Sequence, residues 1–537
     1  MGDQIKDPRY GKPFIGRSAA VASPNDIATI VGHNISLKGG NAIDTMVAVN
    51  AALSVVFPHM TGIGGDSFWL IYDAETKQQY VLNATGHSGQ HVQAELFKDE
   101  NEIPNRGARA AITVPGAVDG WYKAHERFGK LPFKDCLAPA IYYAREGFPV
   151  STSLARFSES KLNTLRSFEE TAKTFLKDSV APYRIGQIMR NENIADLLSE
   201  IAKHGRDAFY KGEIPKRIAQ SIQAHGGYLT AQDFENYEAE WTRPISVQYR
   251  DYIISSPPPN SEGIATLQVL GMLNKFSPEK LHRSHDAFID IFTRATELAF
   301  IDRNHYVSDP DFYEVPTETL LQEDYLYNRA ENIFYNYPTT PETYINADGD
   351  TTFSCACDEV GNVVGVIQSV YWEWGSAFVP DDMGFVMQNR GTSFSLDQDV
   401  RNYLEPNKRP AHTLTCTMVS RNNRPEIILG SMGGDGQPQT QAMLVSRIVD
   451  QKYNVQNAID RPRWLLGRTW GEKSNGLRVE DRFGSDIIEK LEQKGHRHVS
   501  FIHPYSDLVG HSQAIQIFKD HVEAAADPRA LGLALGY

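Results

Sequence analysis

The run Asp350-Thr351-Thr352-Phe353-Ser354-Cys355-Ala356-Cys357 puts a pair of hydroxyl residues where a turn-rich approach gives way to an apolar strand. A threonine hydroxyl is a weak nucleophile at neutral pH. An N-terminal threonine carries its own base, because an α-amine titrates at about 7.7–8.0. If the chain cuts itself before Thr351, one hydroxyl acts twice. It first attacks the Asp350 carbonyl, exchanging amide for ester until water completes the cut, and afterwards it attacks a substrate. Taken alone, the run fits Thr351 and Thr352 better as ordinary β-branched strand residues.

The surrounding pattern places this run on a hairpin. The strand from Asp350 meets a Gly361-Asn362 turn, and residues 363–370 form a second strand ending in Tyr371, Trp372 and Trp374. Residues 335–350 hold two prolines, a glycine and several turn formers, which predicts an exposed, adaptable loop running into Thr351. Residues 42–57 are apolar on every side, as a buried helix in a layered protein should be, and Pro58 ends them. Residues 286–303 show helical spacing through Phe288, Ile291, Phe292, Ala295, Leu298 and Ala299. Towards the C-terminus, strand-like runs at 426–429, 498–502 and 514–518 alternate with a helical stretch at 439–450.

A chain of 537 residues with 41 % apolar and 22 % charged residues suits a folded, soluble globular protein. A formal charge of −14, with no Lys/Arg stripe to offset it, argues against nucleic acid or an anionic membrane as partners. Residues 1–10 lack an apolar signal core, so a cytoplasmic location is expected and the sequons at Asn34 and Asn83 then have no glycosylation meaning. Cys136, Cys355, Cys357 and Cys416 are too few for a disulfide framework and lack zinc-ligand spacing. Cys355 and Cys357 alternate on one strand face, as small buried hydrophobes do. No metal and no organic cofactor is expected.

Separated motifs, in order along the chain, resemble the γ-glutamyltransferase family of N-terminal-nucleophile hydrolases. They include Gly39-Gly40-Asn41-Ala42-Ile43-Asp44, Gly62-Ile63-Gly64-Gly65-Asp66, Val114-Pro115-Gly116-Ala117-Val118 and the run from Ala144 to Val150. Pro257-Pro258-Pro259-Asn260-Ser261-Glu262-Gly263, Asp309-Pro310-Asp311-Phe312 and Gly430-Ser431-Met432-Gly433-Gly434 continue the series. The resemblance implies an α+β fold, a four-layer α-β-β-α sandwich. It also implies Thr351 as nucleophile, a cut between Asp350 and Thr351, and Ser369 where the family has a threonine bonded to the nucleophile. Gly433 and Gly434 fall on the family's oxyanion loop, where adjacent glycines let amide N–H groups converge on developing charge. A plain flexible turn is the other reading of these glycines.

The departures bear on substrate. Where glutathione-processing members hold the substrate α-carboxylate with an arginine, this chain has Leu82-Asn83-Ala84-Thr85-Gly86. The aspartate that holds their α-ammonium group falls on Ser393, and an asparagine near the nucleophile falls on Tyr371. Arg390 stands where those members carry a neutral amide, and a guanidinium fork suits a carboxylate. His412 and Thr413 replace a Ser-Ser pair and become candidate substrate contacts. Arg390 also fits a structural ion pair, and His412 a satisfied loop histidine. The pattern around 58–66, 388–391 and 432–441 looks most like the oxamate amidohydrolase branch.

The expectation is a precursor whose residues 1–350 and 351–537 become α and β subunits of one folding unit, with a dimer of heterodimers as a candidate assembly. It would hydrolyse a small carboxylated amide, with oxamate first among candidates. γ-Glutamyl transfer, glutathione hydrolysis or a cephalosporin-acylase-like activity is the alternative among enzymes, and a non-catalytic small-acid binding protein the alternative of another class.

Overall fold

Strand Asp350–Cys357 pairs antiparallel with Val363–Tyr371, so the expected hairpin forms, its second strand one residue longer than the pattern suggested. The computed structural model describes residues 11–334, 349–469, 474 and 476–537. The N-terminal decapeptide and residues 335–348 of the expected loop lie outside the described residues.

The hairpin is central in a seven-stranded sheet ordered Leu533–Gly536, Ala20–Ser23, Asp350–Cys357, Val363–Tyr371, Asp66–Asp73, Gln78–Ala84 and Glu240–Thr242. A second seven-stranded sheet runs Phe14–Gly16, Val522–Ala526, Ser512–Ile517, Arg424–Ser431, Cys416–Arg421, Tyr252–Ser256 and Ile245–Tyr249. Side chains alternate across each strand, so each sheet buries both faces. Phe353, Cys355 and Cys357 join Phe68, Met418, Ile428 and Ile515 in the core between the sheets. Ala356, Val364 and Val366 face a helical layer containing Ala42–Val56. Gly263–Leu273, His285–Tyr306 and Gly436–Val449 cover the other sheet. The result is the four-layer α-β-β-α sandwich.

Local chemistry explains two of the motifs. Gly39-Gly40-Asn41-Ala42-Ile43-Asp44 is a helix start: Asn41 Oδ1 accepts from the amides of Ile43 and Asp44, both at 3.0 Å, while Asp44 Oδ2 accepts from the Asn41 amide at 3.0 Å. All fifteen residues of the helix that follows are buried, as its apolar circumference requires. The glycine-rich turn at 62–66 permits a close approach. A Cβ on Gly65 would stand 2.1 Å from the Ser369 carbonyl oxygen, so only glycine lets Asp66 pair across from Ser369.

The other patterns hold with shifts at their ends: 286–303 lies within His285–Tyr306, 426–429 within Arg424–Ser431, and 439–450 overlaps Gly436–Val449. All four cysteines are free and buried. Among the described residues no helix is long and apolar enough to cross a membrane.

Candidate active site

Thr351 sits where the hairpin register slips. Asp350 lies across from Tyr371 but Thr352 across from Gln368, so the irregularity falls on Thr351. Its side chain is almost wholly buried, and Oγ1 has no hydrogen-bond partner among the described residues. Thr352 is ordinary by contrast, its hydroxyl donating to the Gln368 carbonyl at 3.1 Å. Ser369 was expected to bond the nucleophile. In the structure its hydroxyl instead donates to the main-chain carbonyl of Asp350, and it accepts the Tyr371 amide at 2.7 Å.

The glycine pair reaches the same junction. Gly433 and Gly434 adopt φ of +134° and +51°, in the region that favours glycine. Their carbonyls accept from the amides of Gly436 at 2.7 Å and Gln437 at 3.1 Å, starting helix Gly436–Val449. The positive end of that helix therefore abuts the loop. A Cβ on Gly349 would stand 3.4 Å from Gly434 Cα and 3.6 Å from its nitrogen. Thr469 ties the two segments together: its carbonyl accepts the Gly349 amide at 3.2 Å, and its hydroxyl donates to the Gly433 carbonyl at 3.0 Å.

Next to the junction is a small cavity walled by Glu262, Arg303, Tyr371, Ser393, His412 and Thr413. Thr413 Oγ1 lies 3.6 Å from the same Cβ position on Gly349, so one wall residue of the cavity borders the segment leading to Asp350. Arg390 is fully buried behind this wall. Its Nη1 donates to Thr413 Oγ1 at 3.0 Å, its guanidinium carbon lies 3.7 Å from the Tyr371 ring centre, and Nε and Nη2 lack partners among the described residues. Tyr371 holds φ at +82°, unusual for an aromatic residue, between the Ser369 bond and the arginine stack.

Two candidate contacts are occupied structurally. Ser393 donates to the Arg390 carbonyl at 3.0 Å, bracing the turn that carries the arginine. His412 Nδ1 accepts the Leu414 amide at 3.3 Å, so Nε2 carries the hydrogen and donates to Asp66 Oδ2 at 3.2 Å. Burial, with Arg390 nearby, holds the imidazole well below its usual range and therefore neutral. His412 thus forms cavity wall and supports Asp66, with neither ring nitrogen left for a substrate.

Several polar residues of this site escaped sequence reasoning as functional. Asp66 Oδ1 accepts from the Gly86 amide at 3.0 Å, the Gly116 amide at 3.2 Å and Gln388 Nε2 at 2.9 Å. Burial pushes its carboxyl up to about 7 against the pull of Arg390 and these bonds. Arg303 Nη1 bridges Glu262 at 2.9 Å and Asp435 at 2.7 Å. Burial raises both acids, Glu262 to about 8, while Arg303 opposes the rise. A usable signal was present: each of these charges stands inside a glycine-, proline- or apolar-rich motif, where an acid or arginine needs a partner. At 82–86 no cation replaces the family arginine. Asn83 and Thr85 instead bond one another, and Asn83 bonds Asn260 at 2.9 Å.

Among the described residues, Asp44, His125 and Cys136 form a cluster with metal-ligand character. Its groups are committed: Asp44 accepts the Lys130 and Leu131 amides and caps its helix, His125 bonds the Leu131 carbonyl at 2.7 Å, and burial pushes the Cys136 thiol up.

Comparison with known proteins adds to this geometry. A family profile described as Gamma-glutamyltranspeptidase matches residues 28–537. The chain is 41 % identical over 526 residues to the Glutathione hydrolase-like YwrD proenzyme of Bacillus subtilis, covering 98 % of this chain and 99 % of that one. It is 38 % identical over 522 residues to the Oxamate amidohydrolase proenzyme of Klebsiella pneumoniae, covering 96 % and 98 %. Its structure is similar to that of cephalosporin acylase from Bacillus halodurans, with a TM-score of 0.89 at 31 % identity, over 100 % of this chain and 99 % of that one.

Proposed function

The chain belongs to the gamma-glutamyltranspeptidase family, and we propose that it is a self-processing amidohydrolase whose nucleophile is Thr351. The observation that carries this reading is the junction itself. A buried threonine hydroxyl without a partner among the described residues follows a carbonyl that Ser369 already polarises, with the Gly433-Gly434 loop alongside.

In the precursor, Thr351 Oγ1 adds to the Asp350 carbonyl carbon and the Ser369 hydroxyl donates to the oxygen as charge develops. Collapse breaks the C–N bond, leaving an ester and the free α-amine of Thr351. Water hydrolyses the ester, giving subunits 1–350 and 351–537. The freed amine then takes the hydroxyl proton as Thr351 attacks a substrate amide, and amides of Gly433 and Gly434 receive the oxyanion. Ammonia or an amine leaves, and water cleaves the acyl-threonine.

Arg390 and Thr413 hold the substrate carboxylate in this reading, and oxamate is the first candidate because a short carboxylated amide suits a small cavity backed by an arginine. The glutathione hydrolase-like relative and the acylase neighbour keep γ-glutamyl and acyl amides as alternatives. Intact mass and N-terminal sequencing of the purified protein, beside Thr351→Ala, test the reading. Two chains meeting at Asp350/Thr351 in the wild type and one whole chain in the variant are expected. A wild type that stays whole would instead favour a binding protein. Ammonia release from oxamate, beside turnover of a γ-glutamyl anilide, then separates the substrates.

A further inference from the structure

The glycine loop rests against a turn at 507–511. The Met432 amide donates to the His511 carbonyl at 3.0 Å, and the Thr469 hydroxyl that reaches the Gly433 carbonyl also lies 2.8 Å from the Leu508 carbonyl. The fit is close. A Cβ on Gly433 would stand 3.4 Å from Gly510 Cα, and one on Gly510, whose φ is +81°, only 2.2 Å from the Met432 carbonyl oxygen. Where this turn sits therefore sets where the Gly433 and Gly434 amides point.

Two arginines hold the turn. Arg463 Nη1 donates to the Val509 and Gly510 carbonyls at 3.2 and 3.1 Å. At the other end, Asp507 Oδ1 accepts from His511 Nε2 at 2.9 Å, and Oδ2 pairs with Arg156 of helix Thr152–Ser160. Burial opposes the charge on Asp507, but His511 and Arg156 hold its carboxyl below the usual range, so it is ionised. That helix is itself fixed beside the site: Lys161, its C-terminal cap, pairs with the nearly buried Glu373, and the Trp374 indole N–H donates to the Phe157 carbonyl at 3.4 Å.

We propose, on the reading of Gly433 and Gly434 as the oxyanion loop, that Arg156 is a positioning residue for that loop, acting through Asp507 and the 507–511 turn. Arg156 belongs to segment 1–350 and Gly433 to segment 351–537, so after self-cleavage one chain sets the oxyanion loop of the other. The effect falls on catalysis more than on folding. Arg156 is half-exposed, and an ion pair of that kind adds little to stability. Oxyanion donors, by contrast, must be held to within about 0.5 Å of their working geometry. The same exposure leaves the pair open to screening by salt.

Amide hydrogen exchange read by mass spectrometry tests this on the purified full chain, because the Met432 amide reports directly on its bond to the His511 carbonyl. In Arg156→Gln and Asp507→Asn, peptides covering 430–437 should exchange at least about threefold faster than in wild type, while strand Asp66–Asp73 exchanges as before and shows that the variants fold. Arg156→Lys, which keeps the charge, should stay near wild type. For whichever of oxamate and a γ-glutamyl anilide the wild type turns over, kcat should fall about three- to tenfold in Arg156→Gln with KM within about twofold. Raising NaCl from about 0.05 M to about 1 M should bring wild-type kcat towards that of Arg156→Gln, whose own kcat should respond little. Unchanged exchange at 430–437 in both neutral variants, a loss that Arg156→Lys does not rescue, or a change in KM alone would overturn the proposal. A wild type that turns over neither amide counts against the amidohydrolase reading, whereas exchange at Met432 decides in either case whether Arg156 holds the loop.

Discussion

The Ser369 hydroxyl donates to the main-chain carbonyl of Asp350, the carbonyl that Thr351 attacks in the proposed self-cleavage. The contact exists because the register slips at Thr351 and Gly65 allows Asp66 to pair tightly against Ser369. In the proposed reaction it makes the strand partner of the cleavage site into part of the cleavage machinery.

Ser369→Ala should therefore slow self-cleavage. Loss of one oxyanion donor costs about 2.7–4 kcal/mol in related chemistry, or roughly a hundred- to a thousandfold in rate. Ser369→Thr should restore most of it. The check is the fraction of cut chain against time by intact mass; an unchanged Ser369→Ala rate would remove the hydroxyl from the mechanism.

Gly433→Ala should damage both catalysis and stability. A side chain at φ +134° costs on the order of 1–3 kcal/mol, and the shifted amides would lose oxyanion stabilisation. Urea denaturation measures the first effect and kcat of the cut enzyme the second. A variant as active and as stable as wild type would mean the loop is only a turn.

Arg390→Lys should raise KM or lower kcat/KM for a carboxylated amide by roughly ten- to a hundredfold, since bonds to charged groups are worth about 1.5–3 kcal/mol. Self-cleavage should continue, because Arg390 bonds Thr413 and stacks on Tyr371 without a bond to the junction. Loss of processing would identify Arg390 as a support for Tyr371 instead.

Glu262 sets a pH dependence of stability. Its folded-state carboxyl lies at about 8, above the unfolded range near 4.5, so the folded chain binds more protons between those limits. Its contribution is fully present below about 4.5 and is lost as pH rises towards about 8. Glu262→Gln, which keeps an oxygen for Arg303 and places an amide N–H₂ where Oε1 has no partner among the described residues, should flatten that decline. Thermal denaturation from pH 5 to 9 reads the difference in slope between wild type and variant.

Much of the frame was legible in the residues. The buried helix at Ala42–Val56 follows from an apolar circumference and an Asn-Ala-Ile-Asp start, and the hairpin at Thr351 from alternation around a Gly-Asn turn. Arg390 and Thr413 are juxtaposed, as both were singled out for a carboxylate. His412 was legible as a residue of the site but not in its role, because its two nitrogens are claimed by Leu414, two residues on, and by Asp66, far away in the chain.

The family resemblance implied the layers; the sequence by itself determined the strand that carries Thr351, the glycines that can turn beside it and the arginine that must be paired or used. These follow from periodicity, turn chemistry and the cost of burying charge, all written within short windows. Only the tertiary structure decided which carbonyl Ser369 serves, which threonine hydroxyl has no partner among the described residues, and that Glu262 and Asp435 meet on Arg303 from three separate segments. Such meetings depend on a one-residue slip in register and on how two sheets and two helical layers stack, and no local pattern encodes those distances.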